Sequence, residues 1–256
     1  MNTQAQKSFK ILLIGDRCLD IYQYGTVDRI SPEAPVPVFR YTYQKQCSGM
    51  AGNVFENLKA LGCDVAFLHE ETSIKTRLID DRSKQHIVRI DDDKKCTPIK
   101  FEATLPLSYD AIVISDYNKG TVSYELIEDL RRGFSGPIFV DTKKTDLARL
   151  EGCFIKINEL EYSRITSLPT GVPSGLVVTY GGQGVVYDEF AFAAKNVEVA
   201  DVCGAGDTFL SALAYQYLNT HDLLEAIQFA IKASAVTVQH LGCYAPTLKE
   251  INDKNI

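Results

Sequence analysis

Five short apolar runs in this chain each end on a polar residue at the lip of a loop. They are KILLIGD (residues 10–16), AIVISD (111–116), PIFVD (137–141), CFIKIN (153–158) and GLVVT (175–179). Runs of this kind, apolar without alternation, read as strands buried on both faces of a parallel sheet. Amphipathic stretches lie between them. Val54, Leu58 and Leu61 share one helical face within residues 49–62, and Gly62 suits the position just past the helix end. Residues 122–132 form a second such helix, and two long helices, about 205–218 and 222–240, close the chain. This alternation predicts an α/β fold: a doubly wound, mostly parallel sheet with helices on both faces. Ligands in such sheets sit at the C-terminal ends of the strands. The polar strand ends therefore become candidates: Asp16, Asp20, Asp116, Asp141, Asn158 and Thr179.

The remaining segments read as β-structure outside that body. Pro32, Pro35 and Pro37 forbid a helix and disfavour a central strand, so edge strands are predicted near 21–25 and 36–43 with an irregular loop between them. Residues 74–79 and 85–90 read as a hairpin around the polar turn 80–84, and 64–68 as a strand. Together, 21–43 and 74–91 are expected to form a small β lid on one domain spanning 1–256. A last hairpin is predicted over 184–187 and 190–194, and the polar stretch 91–106 is left unassigned.

Composition removes several classes of function. Hydrophobic residues make up 45% of the chain and charged residues 23%, which is globular and not disordered. The net charge is -6, with no basic block, so nucleic acid is not expected as a partner. No apolar run approaches a bilayer span, and the start, MNTQAQKSFK, lacks the apolar core of a secretory signal. Seven cysteines at wide spacings, without a C-x-x-C pair, read as reduced and mostly buried thiols of a cytoplasmic protein. Four scattered histidines argue against a zinc site.

The chemistry concentrates in DVCGAGDT (201–208), which opens a long helix. Gly204 and Gly206 let a ligand approach the backbone closely. The amides of Gly204, Ala205 and Gly206 lie at a helix N-terminus, which favours an anion. Asp207 adds a carboxylate in that same turn. An anion hole beside a carboxylate is what phosphoryl transfer requires: amides for the developing charge, a base for the attacking hydroxyl. The plain alternative is a capped helix with packed glycines.

DxxGAGDTF resembles the C-terminal motif of the ribokinase-like (PfkB) sugar kinases, and other segments resemble the same family in the same order. By that resemblance Asp207 is the catalytic base. Cys203 stands where Thr is common, as a packing residue or a thiol activated by the helix end. GDRCLD gives Asp16 and Asp20, whose acidic end would bind sugar hydroxyls. SGMAGNV resembles GGAGNV, with Gly49 and Asn53 on the sugar and Met50 replacing a glycine. NELE resembles N-x-x-E, in which Asn158 and Glu161 organise Mg²⁺ and phosphates largely through water; Asn158 is equally a helix N-cap. VTYGGQG resembles a nucleotide-binding turn, with Thr179, Gly181 and Gly184 lining an ATP site, or a plain glycine hairpin.

RISPEAPVPV (29–38), residues 74–91, SDYNKG (115–120) and DTKKTDLARLEG (141–152) resemble, more narrowly, the kinase domain of bifunctional heptose-synthesis enzymes. That likeness implies a sugar-phosphate substrate, D-glycero-β-D-manno-heptose 7-phosphate converted to the 1,7-bisphosphate. Lys75, Arg77 and Arg89 become candidates for its distal phosphate, Lys143 for the nucleotide phosphates, and Lys144 for either those phosphates or solvent. The family carries a longer segment between Leu68 and Lys75, so one βα layer should be missing at the sugar-binding edge. The rival readings are a kinase for another sugar and a non-catalytic sugar- or nucleotide-binding homologue. The family also suggests a homodimer through the lid and, since no nucleotidyltransferase segment follows, a stand-alone kinase.

Overall fold

A computed structural model describes residues 8–100, 108–171 and 175–253. In chain order, β1 (Lys10–Gly15) is followed at once by β2 (Arg17–Ile30) and then β3 (Pro37–Met50). Helix α1 (Ala51–Ala60), β4 (Asp64–Leu68), β5 (Thr72–Asp80) and β6 (His86–Asp92) come next. The body continues with β7 (Ala111–Asp116), α2 (Tyr124–Gly133), β8 (Ile138–Thr142), β9 (Phe154–Asn158) and α3 (Glu159–Tyr162). It ends with β10 (Leu176–Thr179), β11 (Val185–Tyr187), β12 (Phe190–Phe192), α4 (Ala205–Thr220), α5 (Leu223–Thr237) and α6 (Leu248–Ile251).

Eight strands form one sheet in the order β12-β11-β10-β9-β8-β7-β1-β4. The six from β10 to β4 run parallel, and β11 and β12 add an antiparallel hairpin at one edge. Successive side chains point to opposite faces, and each buried strand therefore feeds two cores. Ile11 and Leu13 pack with α1, α4 and α5, while Leu12 and Ile14 pack with α2 on the other side. Leu58 of α1 is wholly buried in the first core; cutting such a side chain to Ala costs about 2–5 kcal/mol. Among the described residues no helix is long and apolar enough to cross a membrane.

The second sheet, β3-β2-β5-β6, is the lid. Its strands are longer than the sequence suggests: fourteen residues each in β2 and β3, reaching back to the body on either side of the bends at 31–36. The prolines fall in or beside those bends, at the distal ends of the strands, and leave the pairing intact. β2 and β5 are parallel, with antiparallel β3 and β6 outside them. Residues 69–71 alone connect β4 to β5, and β4 is an edge strand of the main sheet, as the shortened segment implies. The helix expected from Asn158 is a single turn, and α6 is additional to the predicted elements. The stretch 91–106 lies partly outside the described residues.

Candidate active site

Helix α4 begins without a side-chain cap. Its N-cap is Gly204, in the left-handed region at φ 76°, so the first-turn amides face outward with no capping side chain on them. One of the three predicted amides is partly spent: the Ala205 N–H donates to the Val202 carbonyl at 3.3 Å. A Cβ at Gly204 would come 2.6 Å from Asn53 Nδ2, so only glycine lets α1 and α4 meet there.

Asp207 sits in that first turn, 6% exposed. Its Oδ2 accepts from Asn53 Nδ2 at 2.8 Å and its Oδ1 from the Tyr117 hydroxyl at 3.1 Å. Burial pushes its carboxyl up to about 6, the Asp141 carboxylate adding to the rise and the Asn53, Lys156 and Tyr117 contacts opposing it. Asn53, expected on the sugar, thus turns its amide to Asp207, and its Oδ1 meets Asn57 Nδ2 at 3.3 Å.

A small cavity of about 120 Å³ opens beside Asp207, lined by Gly204, Gly206, Tyr117 and a set of charged groups. Those groups are Asp116, Asp141, Glu161 and Asp207 against Lys143 and Lys156. Lys156 Nζ donates to Asp141 Oδ2 at 2.7 Å, and Lys143 Nζ to Glu161 Oε1 at 2.7 Å. Asn158 and Glu161 form a reciprocal cap on α3: Asn158 Oδ1 accepts from the Glu161 N–H at 2.9 Å, and Glu161 Oε2 from the Asn158 N–H at 2.8 Å. The N-cap alternative is therefore realised, in a place that still lines the cavity. Acids outnumber cations there, so a polyphosphate would need a divalent cation to enter. Among the described residues no three acidic, histidine or cysteine side chains converge as direct ligands. The oxygen donors present suit a hydrated Mg²⁺ held mainly by phosphate and water, with Asn158 and Glu161 reached through that water.

A larger cavity of about 480 Å³ adjoins the first and shares Lys156, Asn158 and Gly206 with it. Thr179, Gly181 and Gly184 line it, together with Ala205 and the apolar side chains of Val199, Phe209 and Ile231. Both glycines have positive φ, 56° and 109°, and a Cβ at Gly184 would fall 1.9 Å from the Phe192 carbonyl oxygen. The glycine hairpin and the cavity wall are thus the same structure. An apolar slot that ends at polar, phosphate-sized space has the shape a nucleoside polyphosphate requires.

On the lid side, Arg77 Nη1 donates to Asp20 Oδ1, and the guanidinium lies over the Tyr22 ring, 5.1 Å from its centre. A Cβ at Gly49 would be 2.1 Å from Asp20 Oδ2, which explains the glycine. Arg89 is register partner to Arg77, Lys75 to Asp20, and alternation sets the three cations on one face of the lid. Arg89 already forks onto Asp91 at 2.8 and 3.0 Å. Of the predicted phosphate cations, Arg77 and Arg89 therefore already serve acids, and Lys75 stands half-buried beside Asp20.

Three expectations change. Asp16 is not free for a sugar: it is buried and accepts from the N–H groups of Tyr117, Lys119 and Thr121 at 2.9, 3.0 and 3.3 Å, fixing the 116–121 loop. Lys144 is not solvated; it is buried against Asp116 at 3.2 Å. Cys203 is neither packed nor activated, since it is exposed and its thiol is pushed up by desolvation and the Asp201 carboxylate. No sequence motif singles out Lys156 or Tyr117. The signal for Lys156 was a lone charge inside the apolar run CFIKIN; for Tyr117, its place just after a strand end.

Residues 130–250 match the pfkB family of carbohydrate kinases. Among curated relatives, the bifunctional protein HldE of a Nitratiruptor species is 31% identical over 299 positions, covering 95% of this chain and 64% of its own length. HldE of Helicobacter pylori is 30% identical, covering 94% and 65%. This chain thus spans a little under two thirds of these relatives. The alignment is also longer than the 256 residues present, so the relatives carry stretches with no counterpart here. Among solved structures, Arabidopsis thaliana ribokinase, complexed with ribose and ATP, superposes with a TM-score of 0.68 at 14% identity, over 96% of this chain and 98% of that one. That likeness gives the fold, which is ribokinase-like. The match to the pfkB family of carbohydrate kinases thus covers residues 130–250 and lies within a ribokinase-like fold.

Proposed function

We propose that the chain is an ATP-dependent sugar kinase acting on a sugar phosphate, D-glycero-β-D-manno-heptose 7-phosphate, at its anomeric hydroxyl. The observation that carries this is Asp207. It is a buried carboxylate, tuned to about 6, at the uncapped start of α4 between a nucleotide-shaped cavity and the lid. A base with that value is ionised near neutral pH and close enough to it to exchange a proton.

In this reading Asp20 and Gly49 place the acceptor under the lid, and Lys75 faces its distal phosphate. Asp207 removes the hydroxyl proton, with Asn53 and Tyr117 fixing both carboxylate oxygens. The amides of Gly204 and Gly206 stabilise charge on the group in transfer. Bound Mg²⁺ would neutralise phosphate charge, held through water by Asn158 and Glu161. The HldE relatives support the heptose acceptor; the shortened 69–71 link, and Met50 held at φ 55° where the family has glycine, favour a different sugar as the second reading. The seven unpaired cysteines support a reducing, cytoplasmic setting. Exposed Tyr41, Tyr43, Val88 and Ile90 support a homodimer through the lid, which a monomer in sedimentation at assay concentration would remove.

The test is ADP release from Mg-ATP with heptose 7-phosphate beside a panel of sugars and sugar phosphates. Turnover on the heptose phosphate alone is expected. Turnover on another compound discards the acceptor and keeps the kinase; ATP binding without any turnover makes the chain a binding homologue.

A further inference from the structure

Two cysteines from distant parts of the chain meet where the lid joins the body. Cys47 lies on β3 in register with Asp20 of β2. Residues directly opposed on paired strands share a face, so the Cys47 thiol is on the acceptor side of the lid. Cys243 lies in the loop between α5 and α6, and its Sγ would be 3.5 Å from a Cβ at Gly204, which sets it against the start of α4. The two side chains touch: the Cys243 thiol donates to the Cys47 sulfur, and the Tyr22 hydroxyl donates to the same sulfur. Both cysteines are half-buried, and Cys47 also lines a cavity of about 330 Å³ beside Leu19, Ser48 and Glu56, so a small solute can reach it.

The pair is chemically unequal. The Cys243 hydrogen bond, with help from Tyr22 and the Arg77 guanidinium, holds the Cys47 thiol below its ordinary value against burial and the Asp20 carboxylate. Cys243, as the donor of that bond, is pushed up and keeps its proton. A thiol biased toward its thiolate beside a protonated thiol is the arrangement of an attacking cysteine and its resolving partner. Cys18, Cys63 and Cys153 differ: they are buried, and desolvation raises them to about 11, 12 and 11. Sulfurs already in contact need only a local shift to reach the about 2.05 Å of a disulfide.

We propose that Cys47 and Cys243 are a peroxide-oxidised pair, whose reversible disulfide ties the lid to the body across the mouth of the acceptor site. The Cys47 thiolate attacks one oxygen of hydrogen peroxide; the O–O bond breaks, and the departing hydroxide takes a proton to become water. The resulting Cys47 sulfenic acid is attacked by the Cys243 sulfur. The S–S bond forms, the S–O bond breaks, and the second hydroxide leaves as water with the Cys243 proton. Two thiols are oxidised and one peroxide is reduced to two waters. The effect on turnover rests on the kinase reading, which puts the acceptor between the lid and the start of α4.

The test treats the full chain, first reduced, with hydrogen peroxide, then maps its peptides by mass spectrometry without reductant. A Cys47–Cys243 linked peptide is expected, with slower amide exchange in β2 and β3. Acceptor kcat/KM should fall at least tenfold while calorimetric Mg-ATP affinity stays the same, because neither cysteine lines the larger cavity. Dithiothreitol should reverse each change. Cys47→Ser should keep its own untreated activity through the treatment, Cys203→Ser should lose activity as wild type does, and Cys243→Ser should give a Cys47 sulfenic acid trapped by dimedone. Oxidation confined to the exposed Cys203, or a cross-link that leaves acceptor turnover unchanged, overturns the proposal. A reduced chain that releases no ADP with any acceptor removes the kinase reading instead; the linked peptide and the slowed exchange then decide the pair on their own.

Discussion

The Tyr117 hydroxyl offers the smallest change by which the Asp207 carboxylate can be retuned. It donates to Oδ1 at 3.1 Å and stabilises the carboxylate, partly offsetting the burial that lifts the group to about 6. Tyr117→Phe deletes that one oxygen and keeps the ring beneath Lys143, whose ammonium lies 4.9 Å from its centre. A hydrogen bond to a charged group contributes about 1.5–3 kcal/mol, and a 3.1 Å contact belongs at the low end. Since about 1.4 kcal/mol corresponds to one pKa unit, Asp207 should rise by about one unit, to roughly 7. The direction follows from which form loses its partner: the ionised form does, so the acid side of the profile is the side that suffers. The assay is kcat/KM for acceptor-dependent ADP release across pH 5–9, which reports ionisations of the free enzyme. At pH 6 the ionised fraction falls from about a half to about a tenth, roughly a fivefold loss, while at pH 8.5 the variant should lie within about twofold of wild type. A uniform loss at every pH, with the acid limb unmoved, would refute the role given to Tyr117.

Three further outcomes follow from the same geometry. Asp207 has a folded value above its ordinary 3.8, so its contribution to stability is full below that value and is lost as pH rises through about 6. At pH 8 the buried charge costs about 3 kcal/mol; Asp207→Asn should therefore melt several degrees higher than wild type at pH 8, with the gain gone near pH 4. Gly49→Ala drives a methyl group into Asp20 Oδ2, which would stand 2.1 Å away; the acceptor KM should rise tenfold or more while calorimetric ATP affinity stays the same. Asp16→Ala orphans three backbone N–H groups of the 116–121 loop and should cost about 3 kcal/mol or more, read by urea unfolding. If Asp16 instead contacts the sugar, that variant will keep its stability and lose acceptor affinity.

What the sequence made legible follows from how local each signal is. KILLIGD and AIVISD could only be buried strands, and GAGD before a long apolar run could only be a helix start, so β1, β7 and α4 stand where expected. The extent of the lid was harder to read. Its prolines suggested short edge strands, yet β2 pairs with β3 from Arg17 to Ile30, past the expected boundary at both ends. Site residues divide the same way. Asp207, Gly204, Asn158 and Thr179 could be placed from motif and strand end alone. Asp16 and Asp20 look alike in GDRCLD, and only the fold shows that the first turns to backbone amides while the second meets Arg77. Lys156 became meaningful once β8 set Asp141 beside it, a pairing between segments that the sequence does not join.

The central claim is that Asp207 is the base for phosphoryl transfer to an acceptor hydroxyl. The most direct measurement compares wild type and Asp207→Asn for acceptor-dependent ADP release, with ATP affinity measured on both. Loss of turnover by about 10²–10⁴ at unchanged ATP affinity is the predicted result, the range expected for removing a positioned base. Turnover within a few-fold of wild type would contradict the account, because the group placed to take the proton would then be dispensable.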